Sequence, residues 1–176
     1  MKYIKYFLLL FVVACSSPKI FYDYDTEANF NQYKTFDFFQ DAGKELNEFD
    51  KKRIASSIVT NLLGKGIKRD AENPDFYVNF LTKSFKEESR NTVGIGVGGG
   101  GGNVGFGISG GIPIGGKQIT QSLTIDFVTN KTDQLFWQSV SKTEINSEAS
   151  PEEKTAFYQN LISKMIMGYP PKKTSK

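Results

Sequence analysis

Two spacings of apolar residues organise this chain. Alternation marks strands, and recurrence at i, i+3 or i+4 marks helices. Ile20 to Tyr24 (IFYDY) reads as a strand. Tyr33 to Phe39 (YKTFDFF) reads as a second, with Phe36 and Phe38 on one face. Asp25 to Gln32 between them is polar and predicts a turn or loop. Phe49 to Leu63 reads as a helix. Its Ile54, Ile58 and Leu62 fall at i, i+4 and i+8, with Ala55, Val59 and Leu63 beside them. Asn47 or Asp50 is placed to cap its start, and Gly64 and Gly66 to stop it. Asn73-Pro74 breaks the chain. Asp75 to Lys83 then alternates, with Phe76, Val78 and Phe80 on one face.

Ile119 to Val128 is the clearest strand. Ile119, Gln121, Leu123, Ile125 and Phe127 share one face; Thr120, Ser122, Thr124 and Asp126 share the other. Asn130 to Asp133 predicts a turn, and Gln134 to Glu144 returns as the partner strand of a hairpin. Ser150-Pro151-Glu152-Glu153 opens the last helix, with Ser150 as N-cap, Pro151 at the first helical position and Glu153 closing a capping box. Phe157, Leu161 and Met165 form one apolar row of this helix, with Tyr158, Ile162 and Ile166 beside it. Gly168 and Pro170-Pro171 end it. This element order predicts an α+β fold: an antiparallel sheet of about five to seven strands with two amphipathic helices on one face, a two-layer sandwich.

Between the third strand and the hairpin lies an unusual segment. Thirteen of the 17 glycines fall between Gly94 and Gly116. Gly94 to Gly99 matches GxGxxG, but no strand feeds through it into a helix and no Lys-Ser/Thr follows, so a phosphate loop is rejected. Two readings of residues 93–116 remain. Val93, Ile95 and Val97 pair with Val104, Phe106 and Ile108 as a hairpin with glycines on its second face. Alternatively, the segment is a mobile loop that orders on a partner or touches lipid, with Val104, Phe106 and Ile108 as the candidate partner contacts. Each glycine costs about 0.5–1 kcal/mol more to order than alanine, so an ordered hairpin here needs something packed against it.

Composition removes several chemistries. The chain of 176 residues has no histidine and one cysteine, Cys15. Ser-His-Asp and Cys-His catalysis, Cys/His zinc sites and internal disulfides all fall away. Only Arg53, Arg69 and Arg90 are arginines, a poor stock for nucleic-acid recognition. Asp23, Asp25 and Glu27 lie close together without EF-hand spacing and predict a solvated strand edge. Asp126 has no second carboxylate in readable proximity, so paired-carboxylate chemistry has no support. Trp137 reads as core or interface. No catalytic residue, cofactor or metal is expected.

The cysteine has a positive reading. Met1 to Cys15 (MKYIKYFLLLFVVAC) carries Lys2 and Lys5 ahead of a short apolar run, Phe7 to Val13. The run is far below the ~20 residues that span a bilayer and has the form of a signal peptide. Its end, Val12-Val13-Ala14-Cys15, resembles the bacterial lipobox, which implies cleavage after residue 14 and acylation of Cys15. Palmitate-type chains contribute about 0.8 kcal/mol per buried methylene, and several on one residue make a stable anchor. Removing Lys2 and Lys5 lowers the net charge from +3 to +1, which weakens a nucleic-acid role further. Ser16, rather than Asp, after the cysteine implies by resemblance the outer membrane, facing the periplasm. The expected organisation is a signal peptide over 1–14, a tether over 15–19, one domain over 20–169, and a disordered basic tail over 170–176.

Together these residues resemble the DUF4136 family of bacterial envelope lipoproteins. The features are the lipobox cysteine, Asp23-Tyr24-Asp25, Asn29-Phe30 before Tyr33-Lys34-Thr35-Phe36, Arg53-Ile54, Gly66-Ile67, and Pro74 to Phe80. The glycine segment, Leu123 to Phe127 with Leu135-Phe136-Trp137, and the closing helix complete the set. The resemblance carries no biochemical function and no catalytic residues. The expectation is a non-enzymatic, lipid-anchored envelope protein that binds another protein or supports an assembly. The alternative is a module binding a small apolar or lipid ligand between sheet and helices, motivated by the phenylalanine excess.

Overall fold

The computed structural model describes residues 18–85, 92–93, 112–113 and 118–172. Its elements in chain order are β1 (Lys19–Tyr24), β2 (Thr35–Phe38), α1 (Glu48–Gly64), β3 (Lys68–Arg69), β4 (Phe76–Phe85), β5 (Thr92–Val93), β6 (Ile112–Pro113), β7 (Gln118–Thr129), β8 (Leu135–Asn146) and α2 (Pro151–Ile166). Six strands form one sheet in the order β1-β8-β7-β4-β2-β3. Both helices cover one face of it, so the molecule is an α+β two-layer sandwich.

The antiparallel pairing expected from the hairpins holds for β1, β8, β7 and β4. It does not hold for β2, which runs parallel to both β4 and β3. The reason is α1. A helix inserted after β2 carries the chain back along the sheet, so the next strand starts from the same end. Two-residue β3 carries no alternation and has no signature in the sequence.

Local rules set the helix ends. The Asn47 side-chain oxygen accepts the Asp50 N–H at 3.0 Å, which makes Asn47 the cap of α1. At its other end Gly66 has φ +79. There the Ile67 N–H donates to the Leu62 carbonyl at 3.0 Å and the Gly66 N–H to the Leu63 carbonyl at 2.9 Å. This is the six-to-one, five-to-two pair of a Schellman motif, and Leu62 and Ile67 are both buried beneath it. The capping box of α2 forms: Ser150 Oγ accepts the Glu153 N–H at 3.2 Å, and Glu153 Oε2 accepts the Ser150 N–H at 2.7 Å.

The core lies between sheet and helices. From the sheet it takes Phe36, Phe76, Val78, Phe80, Leu123, Ile125, Phe127 and Trp137; from the helices Ile54, Ile58, Leu62, Tyr158, Leu161, Ile162, Met165 and Ile166. Aromatic rings run across it in contact: Phe36 on Phe76 (centroids 5.9 Å apart), Phe76 on Phe127 (4.9 Å), Phe127 on Trp137 (4.5 Å), and Tyr169 edge-on to Trp137 (5.4 Å). Burial of one such ring contributes about 1.5–3 kcal/mol, with ring-pair geometry adding to it.

One irregularity enlarges this core. Phe127 pairs with Trp137, but Val128 pairs with Leu135, which leaves Phe136 as an extra residue in β8. Strict alternation would send Phe136 to the opposite face from Trp137. The bulge turns it inward, so both neighbours are buried. Phe136 then stacks on Tyr33 with centroids 4.1 Å apart, which ties the loop before β2 to the far side of the sheet.

At the base of the glycine-rich segment, Thr92–Val93 pairs antiparallel with Ile112–Pro113. Ile112, rather than the Ile108 of the expected hairpin, lies opposite Val93. Positions 94–111 lie outside the described residues, as do 1–17 and the last four residues of the tail.

Candidate functional site

Cys15, Val104, Phe106 and Ile108 all lie outside the described residues, so the fold is described without them. Trp137 is fully buried in the core. Asp25 accepts the Glu27 N–H at 2.8 Å and Asp23 the Tyr24 N–H at 2.9 Å, so each carboxylate engages its own backbone. Among the described residues no group of three His, Cys, Asp or Glu side chains is placed to hold a metal ion.

Of the phenylalanines behind the ligand reading, Phe36, Phe76, Phe80, Phe127 and Phe136 are buried together in the core, while Phe21 and Phe49 are exposed. Among the described residues, no helix covers the sheet face opposite α1 and α2. Register places Phe21, Val140, Thr124 and Leu81 in one row across it, and Asp23, Gln138, Asp126 and Asn79 in the next. Alternation from the buried residues sends these side chains to the uncovered side. Phe21 is 55% exposed and Leu135 50%. Within the polar row, Gln138 Nε2 donates to Asp126 Oδ1 at 2.8 Å. Burial raises the Asp126 carboxyl pKa above its ordinary value, partly offset by that hydrogen bond.

A shallow groove of about 270 Å³ lies between the N-terminal halves of the two helices, lined by Phe49, Lys52, Arg53, Ser56, Ser57, Thr155 and Gln159. Arg53 organises it. Its Nη1 pairs with Asp50 Oδ1 at 2.8 Å, and its Nε donates to Thr155 Oγ1 at 3.1 Å. Arg53 thus ties the N-terminal half of α2 to α1. Below it the Tyr158 hydroxyl donates to Gln121 Oε1 at 3.4 Å, a link from helix to sheet. Burial, then the Asp50 charge, push the Tyr158 hydroxyl up to about 12, while the Gln121 bond and Arg53 pull the other way. Tyr158 therefore stays neutral at ordinary pH. This cluster binds helices to each other and to β7.

A second groove, about 380 Å³, sits at the end of the sheet between Gln32, Tyr33, Asp75 and the β7–β8 turn. Asp75 Oδ2 accepts the N–H groups of Lys34 at 2.7 Å and Thr35 at 2.9 Å. Burial acts to raise the Asp75 carboxyl, but these two donors, the Thr35 hydroxyl and the Lys131 charge together bring it below its usual value. Its work is to join the start of β2 to β4. Nothing in the spacing of Lys34 and Asp75 predicts the pairing, because only the parallel β2–β4 register brings them together.

Among the described residues no helix is long and apolar enough to cross a membrane. No curated protein matches this sequence. Solved structures that share the fold include the following two. One is a PDZ domain protein from Parabacteroides distasonis ATCC 8503: TM-score 0.55, 16% identity, covering 91% of this chain. The present chain spans only 38% of that protein's length. The other is the PelC dodecamer from Paraburkholderia phytofirmans: TM-score 0.51, 10% identity, covering 85% of this chain and 95% of that one. At these identities the likeness is one of fold. The family match is direct: the profile of the domain of unknown function DUF4136 covers residues 20–171, so the chain belongs to the DUF4136 family.

Proposed function

We propose that this protein is a lipid-anchored, non-enzymatic component of the bacterial envelope, attached through acylated Cys15 to the periplasmic face of the outer membrane, and that its sheet domain holds another envelope protein. The observation that carries the reading is the short distance between anchor and fold. Cys15 precedes the first strand residue, Lys19, by four residues. A tether of that length reaches at most about 14 Å, which holds the domain against the membrane surface.

The partner role draws support from how the polar groups are used. Arg53, Asp75 and Tyr158 each hold one element of the fold to another, and Asp50 holds Arg53 in place within α1. The uncovered sheet face offers a partner Phe21, Val140 and Leu81 beside a hydrogen-bonding row. PelC, which shares the fold, is described as a dodecamer, so assembly is among the roles the fold accommodates.

Two measurements test the reading. Cys15→Ser should move the protein from the membrane fraction to the soluble periplasm; unchanged fractionation overturns the anchor. A photo-crosslinking residue at Val140, in cells at native abundance, should give one discrete adduct with another envelope protein. Only uncrosslinked monomer would overturn the partner role.

A further inference from the structure

The sheet has two edges, and they are built differently. The β3 edge is two residues long, exposed and basic, with Arg69 Nε paired to Asp37 Oδ1 at 2.7 Å. Short, charged edges discourage strand addition. The β1 edge is six residues long and reads KIFYDY, with Phe21 55% and Tyr22 42% exposed.

The hydrogen-bonding pattern of β1 decides what that edge offers. The Asp25 N–H donates to the Phe136 carbonyl at 3.0 Å, continuing the β1–β8 register. Residues of the same parity, Lys19, Phe21 and Asp23, therefore turn their main-chain groups to β8. Ile20, Tyr22 and Tyr24 turn theirs outward. Pro18 has no N–H, and the Tyr24 N–H is taken by Asp23 Oδ1 at 2.9 Å. The available edge thus centres on Ile20 and Tyr22.

We infer that β1 is a self-pairing edge: two copies of this chain join antiparallel through β1, with Ile20 of each opposite Tyr22 of the other. This register uses the outward main-chain groups of Ile20 and Tyr22 in both copies, four hydrogen bonds in all by the antiparallel rule. It is also self-complementary in side chains. On the uncovered face, Phe21 meets Phe21 of the second copy on the two-fold axis, and Lys19 of each copy meets Asp23 of the other. Shifting the register by two residues sets Phe21 against Asp23 and draws on Tyr24, whose N–H is already engaged. Cross-strand aromatic and opposite-charge pairs each add about 0.2–1 kcal/mol. The pairing continues two sheets into one and covers both exposed phenylalanines. It is a small interface, so it gives a weak dimer.

The test is disulfide trapping in the full chain carrying Cys15→Ser, in a glutathione buffer at ~100 µM protein, a concentration suited to a small, weak interface. Phe21→Cys sits at a non-hydrogen-bonded pair on the axis, where α-carbons approach to about 4.5 Å and a disulfide fits. It should give a linked dimer quickly. Lys19→Cys mixed with Asp23→Cys should also link, while Asp23→Cys alone should not. Adding Asp23→Lys to Phe21→Cys places like charges opposite each other twice and should slow trapping about tenfold. Exchanging both charges, Lys19→Asp with Asp23→Lys, should restore it, with unchanged circular dichroism showing that each variant is folded. Equal trapping at all three positions, a Phe21→Cys protein that stays monomeric, or fastest trapping of Tyr22→Cys would each overturn the inference. None of these outcomes depends on the lipid anchor or on a different partner protein.

Discussion

Tyr22, on the outermost long strand, donates its hydroxyl hydrogen to the Lys164 carbonyl in the last turn of α2, at 2.8 Å. The bond spans the two layers and gives a partner to one of the carbonyls a helix leaves unpaired at its C-terminus. Its ring lies over Gly168, where any β-carbon would collide with it. Burial of the ring raises the Tyr22 hydroxyl pKa, with the Gly168 backbone acting in the opposite direction. β1 is held to the helix layer by this hook as well as to β8 by its ladder.

The hook sets a first expectation. Tyr22→Phe removes the hydroxyl and should cost about 1 kcal/mol in chemical denaturation. Gly168→Ala displaces the whole ring and should cost more, about 1–3 kcal/mol. Equal costs for the two would mean that the ring, and not only the hydroxyl, is free to shift.

Ser139 is fully buried on the core face of β8, and its hydroxyl has no hydrogen-bond partner among the described residues. An unpaired buried hydroxyl is a desolvation cost without return. Ser139→Ala should therefore leave stability unchanged or raise it by up to about 1 kcal/mol. A clear loss on thermal unfolding would show that a buried water bonds this oxygen.

Asp75 should make part of the acid sensitivity of the protein. Its folded pKa lies below the ordinary value, so the unfolded chain binds the proton more readily. The stabilisation is present above the unfolded pKa and is lost as pH falls through the folded pKa. Asp75→Ala should lose about 1 kcal/mol at neutral pH, a figure kept small because the side chain is exposed to solvent. Its stability should then fall less steeply in acid than that of the parent. Urea midpoints measured from pH 7 to pH 2.5 give the comparison.

Asp126 should behave in the opposite sense. Burial raises its folded pKa above the unfolded value, so the folded state holds the proton to higher pH. Stability is lost as pH rises from the unfolded value to the folded one, and the penalty is complete at neutral pH. Asp126→Asn removes the charge and keeps an oxygen for Gln138. It should raise neutral-pH stability by up to about 1 kcal/mol; a lower melting temperature for the variant would refute this.

Much of the local structure was legible in the sequence. Both amphipathic helices, the Ser150–Glu153 box, the Gly66 stop and the β7–β8 hairpin each depend on residues a few positions apart. The α1 cap was legible as two alternatives, and only the Asn47 side chain takes the role. The mixed sheet was less accessible. The direction of β2 depends on where α1 returns the chain, which no residue in β2 encodes.

Candidate sites divide in the same way. The resemblance of residues 12–15 to a lipobox is a linear pattern and needs no fold to be read. The two arms of the Arg53 clamp illustrate the difference. Asp50 and Arg53 are three apart on one helix, a spacing that a sequence carries. Thr155 lies 102 residues further on and reaches Arg53 only because α1 and α2 pack side by side.

The sequence by itself determined the α+β class, the apolar faces, the glycine stop of α1 and the capping box of α2, because these follow from periodicity and capping over short distances. The family was legible as a resemblance in the order of its motifs. Only the tertiary structure decided the parallel β2–β4 pairing, the bulge that buries Phe136 beside Trp137, the Asp75 staple and the unprotected β1 edge. Each of those depends on which strands become neighbours. That choice is made by packing the whole apolar set at once, and no local pattern contains it.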